Sequence, residues 1–337
     1  MTSPRLFLRL LSLCALLSLT IVSCGPETTD GAPEQQAQAT AISGGSGATP
    51  TATETAEVGV VASFYPLYEV VRRVGGDRVN ATNLVAAGAE PHDLELSPRD
   101  LDRLRQASLL VYVGAGFQPG LEEAVRTAAA PDLAVLDVLS GISLIEGQDE
   151  DHEGEAEHEE QHQQDPHVWL DPVRMQDVVR KVRDELVRVD PAGRKLYETN
   201  ASAYEKDLET LHQEFVRGLE NCRRREVVTS HAAFGYLTDR YNLEQIPITG
   251  LSPEVEPSPK RLQEIVRFAR EHDLKVIYFE TLVNPGVAET IAGEVGARTL
   301  VLNPIEGLTP EQQAEDKDYL DLMRENLHNL RSGLECS

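Results

Sequence analysis

From residue 58 onward, short apolar runs alternate with longer stretches in which apolar side chains recur every three or four positions. "VGVVASF" (58–64) has the β-branched character of a buried strand, and "PLYEVVRRVGG" (66–76) has helical spacing. "TNLVAAG" (82–88) predicts a second strand, "SPRDLDRLRQA" (97–107) a helix, "SLLVYVGAGF" (108–117) a third strand, "QPGLEEAVRTAAA" (118–130) a helix and "LAVLDV" (133–138) a fourth strand. Ser97 stands where an N-cap accepts from exposed backbone N–H groups, with Pro98 at the first helical position and Asp100 in the first turn. Strand and helix alternating in this way define βαβ units around a parallel sheet.

The pattern then changes. "DPVRMQDVVRKVRDELVRV" (171–189) is an amphipathic helix, Pro191 breaks it, and residues 192–221 continue without Pro or strand signal. At 1.5 Å per residue this second helix reaches about 40 Å, long enough to serve as a strut. Alternation resumes with "REVVTSH" (225–231), a helix, "LEQIPI" (243–248), "KRLQEIVRFAREHD" (260–273), "KVIYFE" (275–280), "PGVAETIAGEVG" (285–296) and "RTLVLNP" (298–304), before a last helix over 316–333. Ser258 and Pro259 repeat the capping pair. The expected fold is α/β: two lobes, each a four-stranded mainly parallel sheet flanked by helices, joined by one long rigid helix. The expected organisation is a lobe over 58–190, a connecting helix over 191–221 and a second lobe over 222–337.

The ends of the chain add a cellular address. Arg5 and Arg9 precede an apolar stretch from Leu10 to Val22, too short to span a membrane as a stop-transfer helix and of signal-peptide length. It ends in Ile21-Val22-Ser23-Cys24, which looks like a bacterial lipobox, with Cys24 the lipidated first residue after cleavage of 1–23. Residues 24–57, rich in Thr, Ala, Gly, Ser, Gln and Pro, are too polar to pack and are expected to form a disordered tether. Of four cysteines, Cys222 and Cys336 then remain as a candidate disulfide in an exported protein. The formal net charge is -25, which argues against nucleic acid or acidic lipid as partners and suits a cation.

Much of that charge sits in "DEDHEGEAEHEEQHQQD" (149–165), with nine carboxylates and three histidines and no Lys or Arg. Such a run cannot build a core, so a disordered loop (148–165) is expected. His152, His158 and His162 within it suit weak, fast-exchanging divalent cation binding, against the plainer expectation of a solvated spacer. His212, His272 and His328 lie in polar helical stretches and read as exposed.

The other three histidines differ in position. His92 follows the second expected strand, His167 the fourth, and His231 the first strand of the second lobe. Ligands of open α/β sheets bind at the carboxyl ends of strands. Glu306 follows the last strand in the same way. Three neutral imidazoles and one carboxylate make a closed tetrahedral set for Zn²⁺, and imidazole favours zinc over manganese.

Together, "ASFYPLYEVV", "AEPHDLELSPRD", "DPHVWLDP", "TSHAAFGYL", "GLSPEVEPSPKRLQEI" and "LVLNPIEGLT" resemble the metal-binding lipoproteins of bacterial ABC importers for zinc and manganese, over roughly residues 58–335. The resemblance is strongest to high-affinity zinc-uptake members, because the third ligand position is His231 and a His- and acid-rich insertion precedes the second. It implies capture of Zn²⁺ between the lobes and delivery to an ABC permease and its ATPase, by a monomeric, non-enzymatic protein outside the cytoplasmic membrane, lipid-anchored or periplasmic. Many relatives place an Asp ligand where Asn303 stands, so Glu306 is favoured as fourth ligand, with Asn303 or Glu280 as alternatives; Glu280 also suits an orienting role behind a ligand. A manganese- or iron-binding member is the nearest alternative. A zinc hydrolase is the more distant one, with neither HExxH spacing nor a nucleophile elbow to support it.

Overall fold

A computed structural model describes residues 57–128, 130–147 and 163–337. The expected leader, Cys24, the tether up to residue 56, and His152, His158 and His162 lie outside the described residues. In the first lobe, strands β1 (Val58–Ala62), β2 (Val79–Asn83), β3 (Leu109–Tyr112) and β4 (Ala134–Asp137) form one parallel sheet in the order β2-β1-β3-β4. The central pair aligns Val60 with Leu109 and Ala62 with Val111. Both faces of that pair are covered, as an all-parallel sheet requires. Val60, Ala62, Leu109 and Val111 join the main core, whereas Val61 and Leu110 join a smaller one with Leu104 and Leu121. The main core lies beneath helices α1 (Tyr65–Gly75) and α4 (Pro172–Val189), the smaller beneath α2 (Pro98–Gln106) and α3 (Pro119–Ala128).

The second strand forms earlier than the apolar pattern predicts. Pairing starts at Val79, opposite Val58, and ends at Asn83. As an edge strand, β2 needs little apolar side chain. The apolar pair just past its end points into two cores instead, Leu84 into the smaller and Val85 into the main one. The capping of α2 follows the sequence: Ser97 accepts from the Asp100 N–H, and the Asp100 carboxylate accepts from the Ser97 N–H.

The connecting helix α5 (Arg194–Leu219) has 26 residues, about 39 Å. Tyr197, Ala201, Tyr204, Leu208, Leu211, Phe215 and Leu219 are buried at intervals of three or four and form one continuous stripe. This stripe packs against α1 and α4 of the first lobe and the terminal helix α10 (Tyr319–Gly333) of the second. The second lobe holds β5 (Glu226–Thr229), α6 (Gly235–Arg240), β6 (Glu244–Pro247), α7 (Pro259–Glu271), β7 (Val276–Phe279), α8 (Gly286–Val295), β8 (Arg298–Val301) and the short α9 (Pro310–Ala314). Its strands form two parallel pairs, β5–β6 and β7–β8, with β5 and β7 side by side. His212 departs from the exposed position expected of it. Its ring is half-buried and shares a 3.1 Å hydrogen bond with the Tyr241 hydroxyl, because the second lobe packs Tyr241 onto α5.

Several buried groups tie the two lobes. Glu69 of α1, 1 % exposed, holds Arg73, which pairs with Asp318 at the start of α10. Trp169 Nε1 donates to the Pro304 carbonyl (2.8 Å), and the Tyr319 hydroxyl donates to the Trp169 carbonyl (2.5 Å). A disulfide joins Cys222, just past α5, to Cys336, just past α10. It closes a loop with a sequence separation of 114, so the chain-entropy account gives it up to about 4–5 kcal/mol. Replacing both cysteines with serine should lower the unfolding free energy by up to that amount, seen as a lower urea midpoint, while leaving metal affinity unchanged. Unfolding curves of the variant and of the reduced wild type check this.

Candidate metal centre

Each candidate side chain sits on a loop at the carboxyl end of a strand or at the start of a helix. His92 lies between β2 and α2, on a loop that Gln118 holds by donating to the Pro91 carbonyl (3.2 Å). His167 lies immediately before a single turn, Val168–Leu170, that leads into α4. His231 follows β5, and Glu306 lies between β8 and α9. One donor atom from each of these four residues lies within 4.8 Å of all the others.

Oε1 of Glu306 is 3.5 Å from Nε2 of His92, 3.3 Å from Nε2 of His167 and 3.4 Å from Nε2 of His231. Tetrahedral bonds of 2.0–2.1 Å put ligand atoms about 3.3 Å apart, so these three edges have the dimensions of a zinc site. His167 and His231 are fully buried, Glu306 is 1 % exposed, and the His92 side chain is 10 % exposed at the mouth. The mouth is a hollow of about 260 Å³, lined by His92, Phe117, Gln163 and Leu251 among others. None of the three Nε2 atoms and neither oxygen of Glu306 has a hydrogen-bond partner. Buried polar atoms without partners, four of them gathered within 4.8 Å, are what a coordinated cation would satisfy.

The opposite edges of the rings are held. Asp165 Oδ1 accepts from both the backbone N–H and Nδ1 of His167, each at 2.8 Å. Glu280 Oε1 does the same for His231, at 3.1 Å from the backbone nitrogen and 2.8 Å from Nδ1. A carboxylate on Nδ1 selects the tautomer that leaves Nε2 free for a metal and fixes the ring plane. The Glu280 carboxylate thus lies on the Nδ1 side of the His231 ring, while Glu306 lies on the Nε2 side. The Asn303 side chain bonds to its own loop. Its side-chain oxygen accepts from the Ile305 N–H (2.8 Å). Ile305 has φ 58, a left-handed conformation that β-branched residues avoid, and this turn delivers Glu306. The Asn303 side chain thus shapes the loop that carries the carboxylate.

Asp165 was grouped by sequence with the acidic run, but it is 2 % exposed and belongs with His167. Glu90 was overlooked; it accepts from the His92 backbone N–H (3.2 Å), and burial together with Glu306 pushes its carboxyl up to about 8. A signal was available for both. "EPH" and "DPH" each place an acid two residues before the histidine, with Pro between.

The chain belongs to the ZnuA family, described as zinc-uptake complex component A, periplasmic, which matches residues 60–333. Its fold is that of two-lobe solute-binding proteins with a long connecting helix. It is 34% identical over 318 residues to the high-affinity zinc uptake system protein ZnuA of Bacillus subtilis, covering 94% of each chain. It is 35% identical over 278 residues to the zinc-binding lipoprotein AdcA of Streptococcus pneumoniae, covering 82% of this chain and only 55% of AdcA. The Zn(II)-bound ZnuA-like domain of that AdcA superposes with a TM-score of 0.71 at 32% identity, over 83% of this chain and 99% of the domain.

The electrostatics give the centre a pH response. Burial lowers the pKa of the His92 ring. Burial acts on His167 and His231 too, but Asp165 and Glu306 outweigh it at His167, and Glu280 and Glu306 outweigh it at His231, holding the first above and the second well above the usual imidazole value. Burial opposes ionisation of Glu306, yet His231 and the other two rings hold its carboxyl well below the usual range. Without metal, these shifts favour protonation of the two rings, and an entering dication competes with those protons. Titration with Zn²⁺ at neutral pH should release protons, read as a calorimetric heat that depends on the buffer's ionisation enthalpy. Affinity should fall with decreasing pH, beginning above the ordinary imidazole pKa of about 6.5.

Proposed function

We propose that this protein captures Zn²⁺ outside the cytoplasmic membrane in the pocket formed by His92, His167, His231 and Glu306, and hands it to an ABC-type importer. The observation that carries this reading is that four unpartnered donor atoms, one from each of these residues, lie within 4.8 Å of one another, with Glu306 Oε1 at 3.3 to 3.5 Å from all three Nε2 atoms. The naming of the family and of its relatives for zinc uptake or zinc binding supports the choice of ion. So does the donor set. Three imidazoles and one carboxylate suit zinc, whereas manganese prefers oxygen-rich octahedral surroundings.

The role is binding rather than catalysis. A catalytic zinc keeps a coordination position for water and substrate, and here Glu306 stands at the fourth corner. The Glu306 carboxylate faces the ion and those of Asp165 and Glu280 lie behind two of the rings, so the pocket holds the ion without the cost of an unbalanced dication. Delivery requires a permease and its ATPase as partners. Attachment through a lipid on Cys24, with residues up to 57 as tether, would keep a monomeric protein near that permease. Among the described residues no helix is long and apolar enough to cross a membrane, which fits anchoring of this kind.

Metal-free protein should bind one Zn²⁺ and prefer it to Mn²⁺ in competition against a chromophoric chelator. His167→Ala and His231→Ala should each weaken zinc by more than the 10–100-fold typical of losing an outer-shell partner. Equal or tighter binding of Mn²⁺, or a His231→Ala protein with unaltered zinc affinity, would contradict the assignment.

A further inference from the structure

The two ends of the acidic segment are joined where the described residues resume. Glu146 and Gln164 form an antiparallel bridge, the Gly147 N–H donates to the Gln163 carbonyl (2.8 Å), and the Asp165 N–H donates to the Ile145 carbonyl (3.0 Å). This short stem runs directly into Asp165, the carboxylate that orients His167. The second lobe reaches across to it with the side chain of Tyr236. The hydroxyl of Tyr236, at the start of α6, accepts from the Ile145 N–H (3.1 Å) and donates to the Asp165 carbonyl (2.7 Å). One phenol thus hydrogen-bonds to both strands of the stem.

The surroundings show that this contact is built. Tyr236 is 1 % exposed. The Arg174 guanidinium lies 4.6 Å from its ring centroid and donates to the Ser143 carbonyl (3.0 Å), two residues before the stem. Gly235 leaves the space that the stem needs: a Cβ there would stand 2.7 Å from Asp165 Oδ2 and 2.9 Å from Ile145 Cδ1. On the other edge, a Cβ on Gly147 would stand 2.5 Å from Leu251 Cδ1. The stem belongs to the first lobe, yet its seat is made by residues of the second.

We infer that Tyr236 is a positioning residue for the metal, a cross-lobe latch that holds the stem of the acidic segment and, through Asp165, the ring of His167. The inference rests on the zinc-binding reading above. Its physical content is that the stem, the lobe contact and one metal donor move as a unit. Loosening any of them frees the His167 ring to leave the ion. Tyr236 touches neither the ion nor its donors, so its loss changes geometry and lifetime rather than the donor set.

The test compares Tyr236→Phe with Tyr241→Phe, which also loses a tyrosine hydroxyl that bonds a histidine, but one remote from the centre. Tyr236→Phe should speed zinc dissociation about tenfold, the lower end of the effect of outer-shell partners. It should also change the visible absorption of the Co²⁺-loaded protein, which reports ligand geometry. Tyr241→Phe should change neither. A purely structural role would lower the unfolding midpoint of the metal-free protein and leave the cobalt spectrum as it was. Dissociation and spectrum unaltered in Tyr236→Phe would overturn the inference. If that variant does not fold, amide exchange in the unaltered protein decides. Zinc should slow exchange at Ile145 and Asp165, and equal rates with and without zinc would overturn the latch. Failure of the unaltered protein to bind zinc at all would strike down the functional reading itself, and the latch with it. That result is distinct from a zinc-binding protein whose variant behaves normally.

Discussion

A carboxylate with no hydrogen-bond partner, 1 % exposed, is an expensive thing to fold around, and Glu306 is that group. Burying an ionised carboxylate costs several kcal/mol unless a counter-charge meets it. In the metal-free protein the rings of His167 and His231 lie nearest to it, at 3.3 and 3.4 Å, and its charge favours their protonated forms. A dication is the better counter-charge, because it also takes up the three unpartnered Nε2 atoms. The strained turn at Ile305, the Asn303 side chain that supports it and the Trp169 bond to Pro304 all hold this carboxylate in place.

The frame around the centre is stiff for identifiable reasons. One helix, α5, is shared by both lobes along a single apolar stripe. The Glu69–Arg73–Asp318 chain, the Trp169 and Tyr319 hydrogen bonds and the Cys222–Cys336 disulfide add ties at separate points. Such an assembly favours small adjustments of loops over wide separation of lobes. The exposed edge of His92 and the stem next to His167 are the places where an adjustment would reach the ion.

Much of this was readable in advance. Alternation of strands and helices, the long uninterrupted helix and the caps at Ser97 and Ser258 are local properties, and the structure follows them. Placement of His92, His167, His231 and Glu306 after strands was enough to single them out, because strand ends of parallel sheets gather on one edge. The misreadings share a cause. β2 forms from "VNATN" rather than "TNLVAAG", since pairing with β1 decided it and apolar character did not. Asp165 closes an acidic run whose composition predicts solvation, yet it is buried and its carboxylate meets Nδ1 of His167. His212 read as exposed because its partner Tyr241 is distant in the chain.

Most strands and helices, the α/β class and the side chains able to serve a dication were legible in the sequence. These follow from periodicity, capping and the chemistry of each residue, and need only near neighbours. The main core, by contrast, runs continuously from the strands of the first lobe through α5 into the second. Only the tertiary structure brings the Glu280 and Asp165 carboxylates to Nδ1 of the His231 and His167 rings, turns the Asn303 side-chain oxygen to the Ile305 N–H, and lets Tyr236 reach both sides of the stem. Each of these depends on a direction in space between residues remote in the chain, and no local pattern of residues encodes such a direction.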